Sequence, residues 1–178
     1  MGLTKVRGDG VQGMSLLSTN LALKLDANGH VSKPLQSGFM AKPSTQQNNV
    51  AADNSQVTIL FGNELFDMNG DYDTSTSKFT APIAGKYQFN CTLRLDNIDS
   101  ASTYYSIFFR TSTSQWVPFL FDPDMQSGGG DLAYVAVGAS TMFSLAAGEE
   151  VEVRIQQASG TAQTDIITDS YFSGFLVS

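Results

Sequence analysis

Histidine and cysteine, the residue types most often used for acid–base and nucleophilic chemistry, each occur once, as His30 and Cys91. A Ser–His–Asp triad or a Cys–His pair needs its base held by the fold beside the nucleophile. His30 falls in a predicted turn of a polar N-terminal stretch and reads as a solvated turn residue. Cys91 falls on the apolar side of a predicted strand and reads as a small core residue. These counts exclude a disulfide within one chain and a zinc centre built from Cys and His. Asp67-x-Asn69-x-Asp71-x-Asp73 spaces oxygen ligands as a calcium loop does, but its glycine stands fourth rather than sixth and no glutamate follows at the twelfth place. Turn chemistry explains it better. Paired carboxylates could hydrolyse a glycosidic bond, yet no pair is singled out. Gly128-Gly129-Gly130 lacks the following helix and lysine of a phosphate loop. Arg7-Gly8-Asp9 spells the integrin tripeptide, a match short enough to arise by chance. Asn90-Cys91-Thr92 fits a glycosylation sequon in mid-strand. No catalytic residue is expected.

The elements that would position any site are strands. Alternating runs are predicted over Ser37–Lys42, Gln56–Phe61, Lys86–Leu95, Tyr104–Thr111, Trp116–Phe121, Leu132–Leu145, Glu150–Gln156 and Ser170–Val177. Glycine, asparagine, aspartate and serine clusters separate them, and no window sustains a helical stripe. Val151-Glu152-Val153-Arg154-Ile155-Gln156 alternates as a strand half buried and half wet. The expected fold is all-β, an antiparallel jelly-roll sandwich of about ten strands.

A length of 178 residues suits one domain and an arm. Residues 1–35 are polar and glycine-containing, with Leu21, Leu23 and Leu25 alternating before an Asn28-Gly29 hairpin turn. An isolated hairpin is marginal in water, so this arm must lean on something. Residues 36–178 form the expected globular domain. The first residues lack the apolar region of a signal peptide, and no stretch approaches the roughly 18 apolar residues of a membrane span. No membrane insertion is expected. A net charge of −7 argues against wrapping nucleic acid.

Three motifs follow in order. Phe66-Asp67-Met68-Asn69-Gly70-Asp71-Tyr72-Asp73 comes first, then Phe79-Thr80-Ala81-Pro82, then Gly85-Lys86-Tyr87-Gln88-Phe89. Near the C-terminus stands Phe172-Ser173-Gly174-Phe175-Leu176. From about Phe39 to Ser178 this resembles the complement globular-head (complement one-q) domain, a trimeric jelly roll related to tumour necrosis factor. Leu25 to Pro34 resembles the lead-in of tail-fibre and virion-decoration proteins of bacterial viruses.

The resemblance implies a non-enzymatic homotrimeric virion protein at the particle surface, a fibre knob or a capsid or tail decoration. Residues 1–35 would bind other virion proteins. The alternative is a soluble, non-viral trimeric ligand or lectin of the complement/TNF-like superfamily; a glycan-degrading spike is a third reading. The resemblance also puts both termini at one end, so that 96–103, 122–131 and 158–170 gather at the other. Those loops hold Asp96, Asp99, Asp122, Asp124, Asp131, Asp165 and Asp169 and no lysine or arginine. They are the expected tip for a host-surface glycan or protein, with Asp122 and Asp124 as calcium ligands; turn-forming, solubilising aspartates are the plainer explanation. No cofactor is otherwise required. Twelve phenylalanines and six tyrosines exceed what a thin sandwich interior uses. Tyr87, Phe89, Phe172, Gly174 and Phe175 are therefore expected at the core or the trimer contact.

Overall fold

The computed structural model describes residues 24–25, 28–127 and 130–178. The Arg-Gly-Asp tripeptide, Leu21, Leu23 and the first two glycines of 128–130 lie outside the described residues. The protein divides into two compact units, 1–36 and 37–178. In the first, β1 (Lys24–Leu25) pairs antiparallel with β2 (Val31–Ser32), and Gly29 turns between them at φ +86°.

The second unit is a two-sheet antiparallel sandwich. Its strands are β3 (Gly38–Lys42), β4 (Gln56–Thr58), β5 (Asn63–Asp67), β6 (Tyr72–Asp73), β7 (Lys78–Thr80), β8 (Gly85–Ile98), β9 (Tyr104–Thr111), β10 (Gln115–Phe121), β11 (Leu132–Leu145), β12 (Glu150–Ala158), β13 (Asp165–Ile166) and β14 (Tyr171–Leu176). One sheet runs β11-β8-β14-β3-β5 with β13 added against β8; the other runs β10-β9-β12-β7-β6 with β4 added against β12. A single helical turn, α1 (Asp124–Ser127), interrupts the connection from β10 to β11.

Period-two patterning explains the long strands. Along β8, Tyr87, Phe89, Cys91, Leu93 and Leu95 are buried, while the residues between them are more open. The register carries this face across the sheet, pairing Phe172 with Cys91 and Gly174 with Phe89. The interior is aromatic. Phe39 stacks on Tyr72 and Phe79 at centroid distances of 4.6 and 5.2 Å, and Phe172 meets its edge at 5.0 Å.

The motif residues have steric reasons. A Cβ on Gly174 would stand 2.5 and 2.6 Å from the Phe89 ring, so glycine alone lets that ring lie over the β14 backbone. A Cβ on Gly85 would stand 2.8 Å from the Ser178 carbonyl, which accepts the Lys86 N–H. The Tyr87 hydroxyl donates to the Ile83 carbonyl at 2.8 Å and closes the proline corner.

Two expectations are corrected here. Nine of the twelve phenylalanines are buried in the folded monomer, so the interior absorbs most of the aromatic content. Tyr87, Phe89, Phe172 and Gly174 all belong to that interior, and only Phe175 of the set reaches solvent, at 46% exposure. The second concerns β12, whose outward Glu152 is buried rather than wet. Its carboxylate accepts from Arg154 Nε at 2.9 Å and from the Thr58 hydroxyl at 3.0 Å.

Candidate functional site: the loop-bearing tip

The strand register fixes which loops share an end. The Ser37 carbonyl accepts the Leu176 N–H, and the Ser178 carbonyl accepts the Lys86 N–H, so both ends of this unit lie where β8 begins. At the other end of β8, Ile98 pairs with Leu132. Tyr104 pairs with Ala158, and Tyr105 with Phe121, at that same far end. The connections after β8, β10 and β12 therefore emerge together, opposite Ser37 and Ser178.

Hydrogen bonds tie these loops to one another. Asp131 accepts from the Ser100 N–H and hydroxyl, both at 3.0 Å, and from Gln163 Nε2 at 2.9 Å. The Gln163 amide, then the Ser100 backbone, hold the Asp131 carboxyl below its ordinary pKa. Asp99 accepts the Ala101 N–H at 2.9 Å and also the Thr161 N–H. Asp165 accepts from Gln46 Nε2, the Asn49 N–H and Asn97 Nδ2 at 3.0, 3.0 and 2.9 Å, which draws the 43–50 segment into the tip. Beneath them Tyr105 Oη shares a 2.7 Å bond with the Thr164 hydroxyl, and Gln157 Nε2 donates to the Thr161 carbonyl at 2.8 Å.

The expected aspartates thus differ in what they can do. Asp99 and Asp165 are buried, at 4% and 8% exposure, and act as staples between loops rather than as surface ligands. Asp122 accepts the Asp124 N–H at 3.0 Å and opens α1. Asp96 and Asp169 are not without a basic partner: Arg94, just outside the loops on β8, donates to Asp96 at 3.1 Å and to Asp169 at 2.9 Å, with its guanidinium 6.0 Å from the Tyr134 ring centroid. Among the described residues no three His, Cys, Asp or Glu side chains gather as metal ligands. The Asp67 carboxylate is likewise used on backbone, accepting the N–H groups of Asn69, Gly70 and Tyr72. Cys91 is buried between the sheets, where desolvation pushes its thiol pKa up and away from reactivity.

The backbone at this end is unusual. Asn49, Asn54, Asn97 and Ser159 take left-handed φ values of 58°, 65°, 56° and 64°. Such positions persist only where the surroundings enforce them, and they concentrate at functional surfaces. Asn97, Asn49, Gln163 and Arg94 carry no local motif, because partners from distant loops give them their roles. Gly160, at φ +83°, has no room for a Cβ against the Asp99 carboxylate. Gly160→Ala should therefore cost about 1–3 kcal/mol. Hydrogen exchange should rise in 99–103 and 159–164 before the sheets respond; protection in those loops equal to the parent protein's would reject their coupling through Gly160.

Sandwich and topology define an antiparallel jelly-roll domain, with its loops gathered at one end. The family model of the C1q domain matches residues 38–177, and the chain belongs to the C1q-domain family. It is similar in fold to the globular domain of zebrafish complement 1qA, with a TM-score of 0.53 and 17% identity over 80% of this chain and 98% of that one. It is also similar to murine APRIL, with a TM-score of 0.57 and 11% identity over 80% and 99%. No curated protein sequence matches it.

Proposed function

We propose that the protein is a non-enzymatic homotrimeric virion protein of a bacterial virus, a fibre knob or a capsid or tail decoration. Residues 1–35 anchor it to other virion proteins, and the tip engages a host-surface glycan or protein. C1q/TNF-like domains commonly form trimers and typically serve as ligands or structural parts.

One observation carries the assembly: two unlike apolar surfaces on the sandwich. The first is the outer face of the β11-β8-β14-β3-β5 sheet near Ser37 and Ser178. There Phe175 and Met142 flank Gln88 in register, and Phe66 lies opposite Met40. Phe66, Met68, Met142 and Phe175 are each about half exposed. The second is the β10 edge, with Trp116, Val117 and Leu120 open to solvent and the Trp116 ring 6.1 Å from Phe143 on β11. Surfaces this apolar mark interaction sites, and unlike patches meet head to tail, which closes a ring when the rotation permits. The charged part of the same face, where Arg94 holds Asp96 and Asp169, stays solvated at the tip. Three tips on one trimer then add weak contacts by multivalency.

Mass spectrometry of purified virus particles from the source culture tests the particle assignment. Stoichiometric incorporation supports it. Trimers found only in the soluble fraction would assign the protein to the soluble ligand or lectin reading. Deleting residues 1–36 should leave a cooperative thermal transition, because the hydrophobic core of the described residues, from Phe39 to Phe172, lies within the second unit. Incorporation into particles should be lost, and normal incorporation of the truncated protein would move the anchor elsewhere.

A further inference from the structure

The apolar patch on the outer face of the β11-β8-β14-β3-β5 sheet contains two thioethers, Met68 and Met142, each 52% exposed. The register places both in one row across the sheet. Gln88 on β8 pairs with Met142 on one side and with Phe175 on the other, and Phe175 pairs in turn with Gly38. Met68 joins the end of that row, because its N–H donates to the Gly38 carbonyl at 3.0 Å. Its Sδ stands 3.7 Å from where a Cβ on Gly38 would be, and Phe175 Cβ stands at the same distance, so the two flank Gly38 together. No charged residue belongs to the row. A thioether is apolar and adaptable, which suits a contact between subunits, and peroxide converts it to a polar sulfoxide. Phe66 and Phe175, the rest of the patch, do not undergo that reaction. Met40, between Phe66 and Ser173 in register, is less exposed, and Cys91 is buried on the opposite face of β8.

We propose that Met68 and Met142 are modification sites at which hydrogen peroxide blocks assembly of the subunits. The inference rests on the trimer contact proposed for this face. In the step, a sulfur lone pair bonds to one peroxide oxygen and the O–O bond breaks. The proton of the transferred oxygen passes to the departing one, and water leaves. Sulfur is oxidised by two electrons and peroxide is reduced. The new sulfoxide oxygen needs a donor once the face is covered. Gln88, the polar side chain of the row, already gives its Nε2 protons to the Ser140 hydroxyl at 2.8 Å and the Phe89 carbonyl at 3.1 Å. A polar oxygen buried without a partner opposes association. Assembly in turn covers both sulfurs, so the reaction belongs to the free subunit.

Light scattering and peptide mapping of the full-length protein test this. Dilute protein is treated with hydrogen peroxide, freed of it, and concentrated to a level at which the untreated protein is a trimer. Both methionines should have gained an oxygen, circular dichroism should stay native, and the mass should be a monomer's. Met68→Leu combined with Met142→Leu keeps the patch apolar without sulfur and should remain trimeric after the same treatment. Reducing the sulfoxides with methionine sulfoxide reductase should restore the parent trimer, a readout that needs no variant. The proposal is overturned by a parent protein that forms trimers with both residues oxidised, by a double variant that loses its trimer alike, or by a trimer that does not return on complete reduction. Met68 and Met142 left unoxidised in dilute protein would overturn it too. A monomer mass before any peroxide is added would reject the trimer itself, and this inference with it.

Discussion

Phe172→Ala should bring the domain to the edge of unfolding. Phe172 is fully buried where the two sheets meet, and its ring contacts those of Phe39, Phe61, Tyr72, Phe89 and Phe109 at centroid distances from 5.0 to 6.2 Å. Truncating a buried phenylalanine costs about 3–5 kcal/mol, from lost transfer free energy and the cavity left behind. Whole domains hold only about 5–15 kcal/mol. Neighbouring rings cannot readily collapse into the space, since Phe39, Tyr72, Phe89 and Phe109 stand on four different strands and the Phe61 N–H is tied to the Ser77 hydroxyl at 2.8 Å. Phe172→Asp should abolish folding, because a carboxylate there has no polar partner. Urea denaturation followed by circular dichroism gives the answer. A midpoint for Phe172→Ala indistinguishable from the parent protein's would show that Phe172 does not hold the two sheets together.

Phe175→Asp should have a different outcome: a folded monomer. Phe175 lies three residues further along β14 and on its opposite face, half exposed beside Gln88. Within the monomer its replacement removes little. Within a ring it puts a charge into each of three apolar contacts, at a cost of about 2 kcal/mol or more per contact. Light scattering at micromolar concentration should therefore show a monomer mass alongside native circular dichroism. Met142→Asp, on the same face, should behave alike. A trimer that persists in both variants would reject this face as the subunit contact. An unfolded Phe175→Asp would instead move Phe175 into the core.

Acidic loops, by contrast, give a warning about composition. Seven aspartates look like one surface property in the sequence, and the fold divides them. Asp99 and Asp165 are buried staples, Asp131 is a surface tie between loops, and Asp96 and Asp169 are partners of Arg94. The recognition role proposed for the tip accordingly rests on loops tied to one another as much as on charge.

What the amino-acid order determined alone was whatever depends on sequence neighbours. The alternation from Tyr87 to Leu95 requires a strand with one apolar face, and β9 and β11 begin and end at the residues their patterns mark. Aspartate and glycine at 67–73 require a turn for the same local reason. The five residues of β5 show no alternation and lie almost wholly exposed; pairing with β3 makes them a strand. β13 is two residues long and exists through its bonds to β8. That Phe172 enters the core while Phe175 faces outward was open to a reading of period two, but which face the second sheet covers was not. Only tertiary structure could join Asp99 to Thr161, Asn97 to Asp165 and Arg94 to Asp169. Each of these bonds closes a long loop, and nothing in the local sequence of either partner specifies the other.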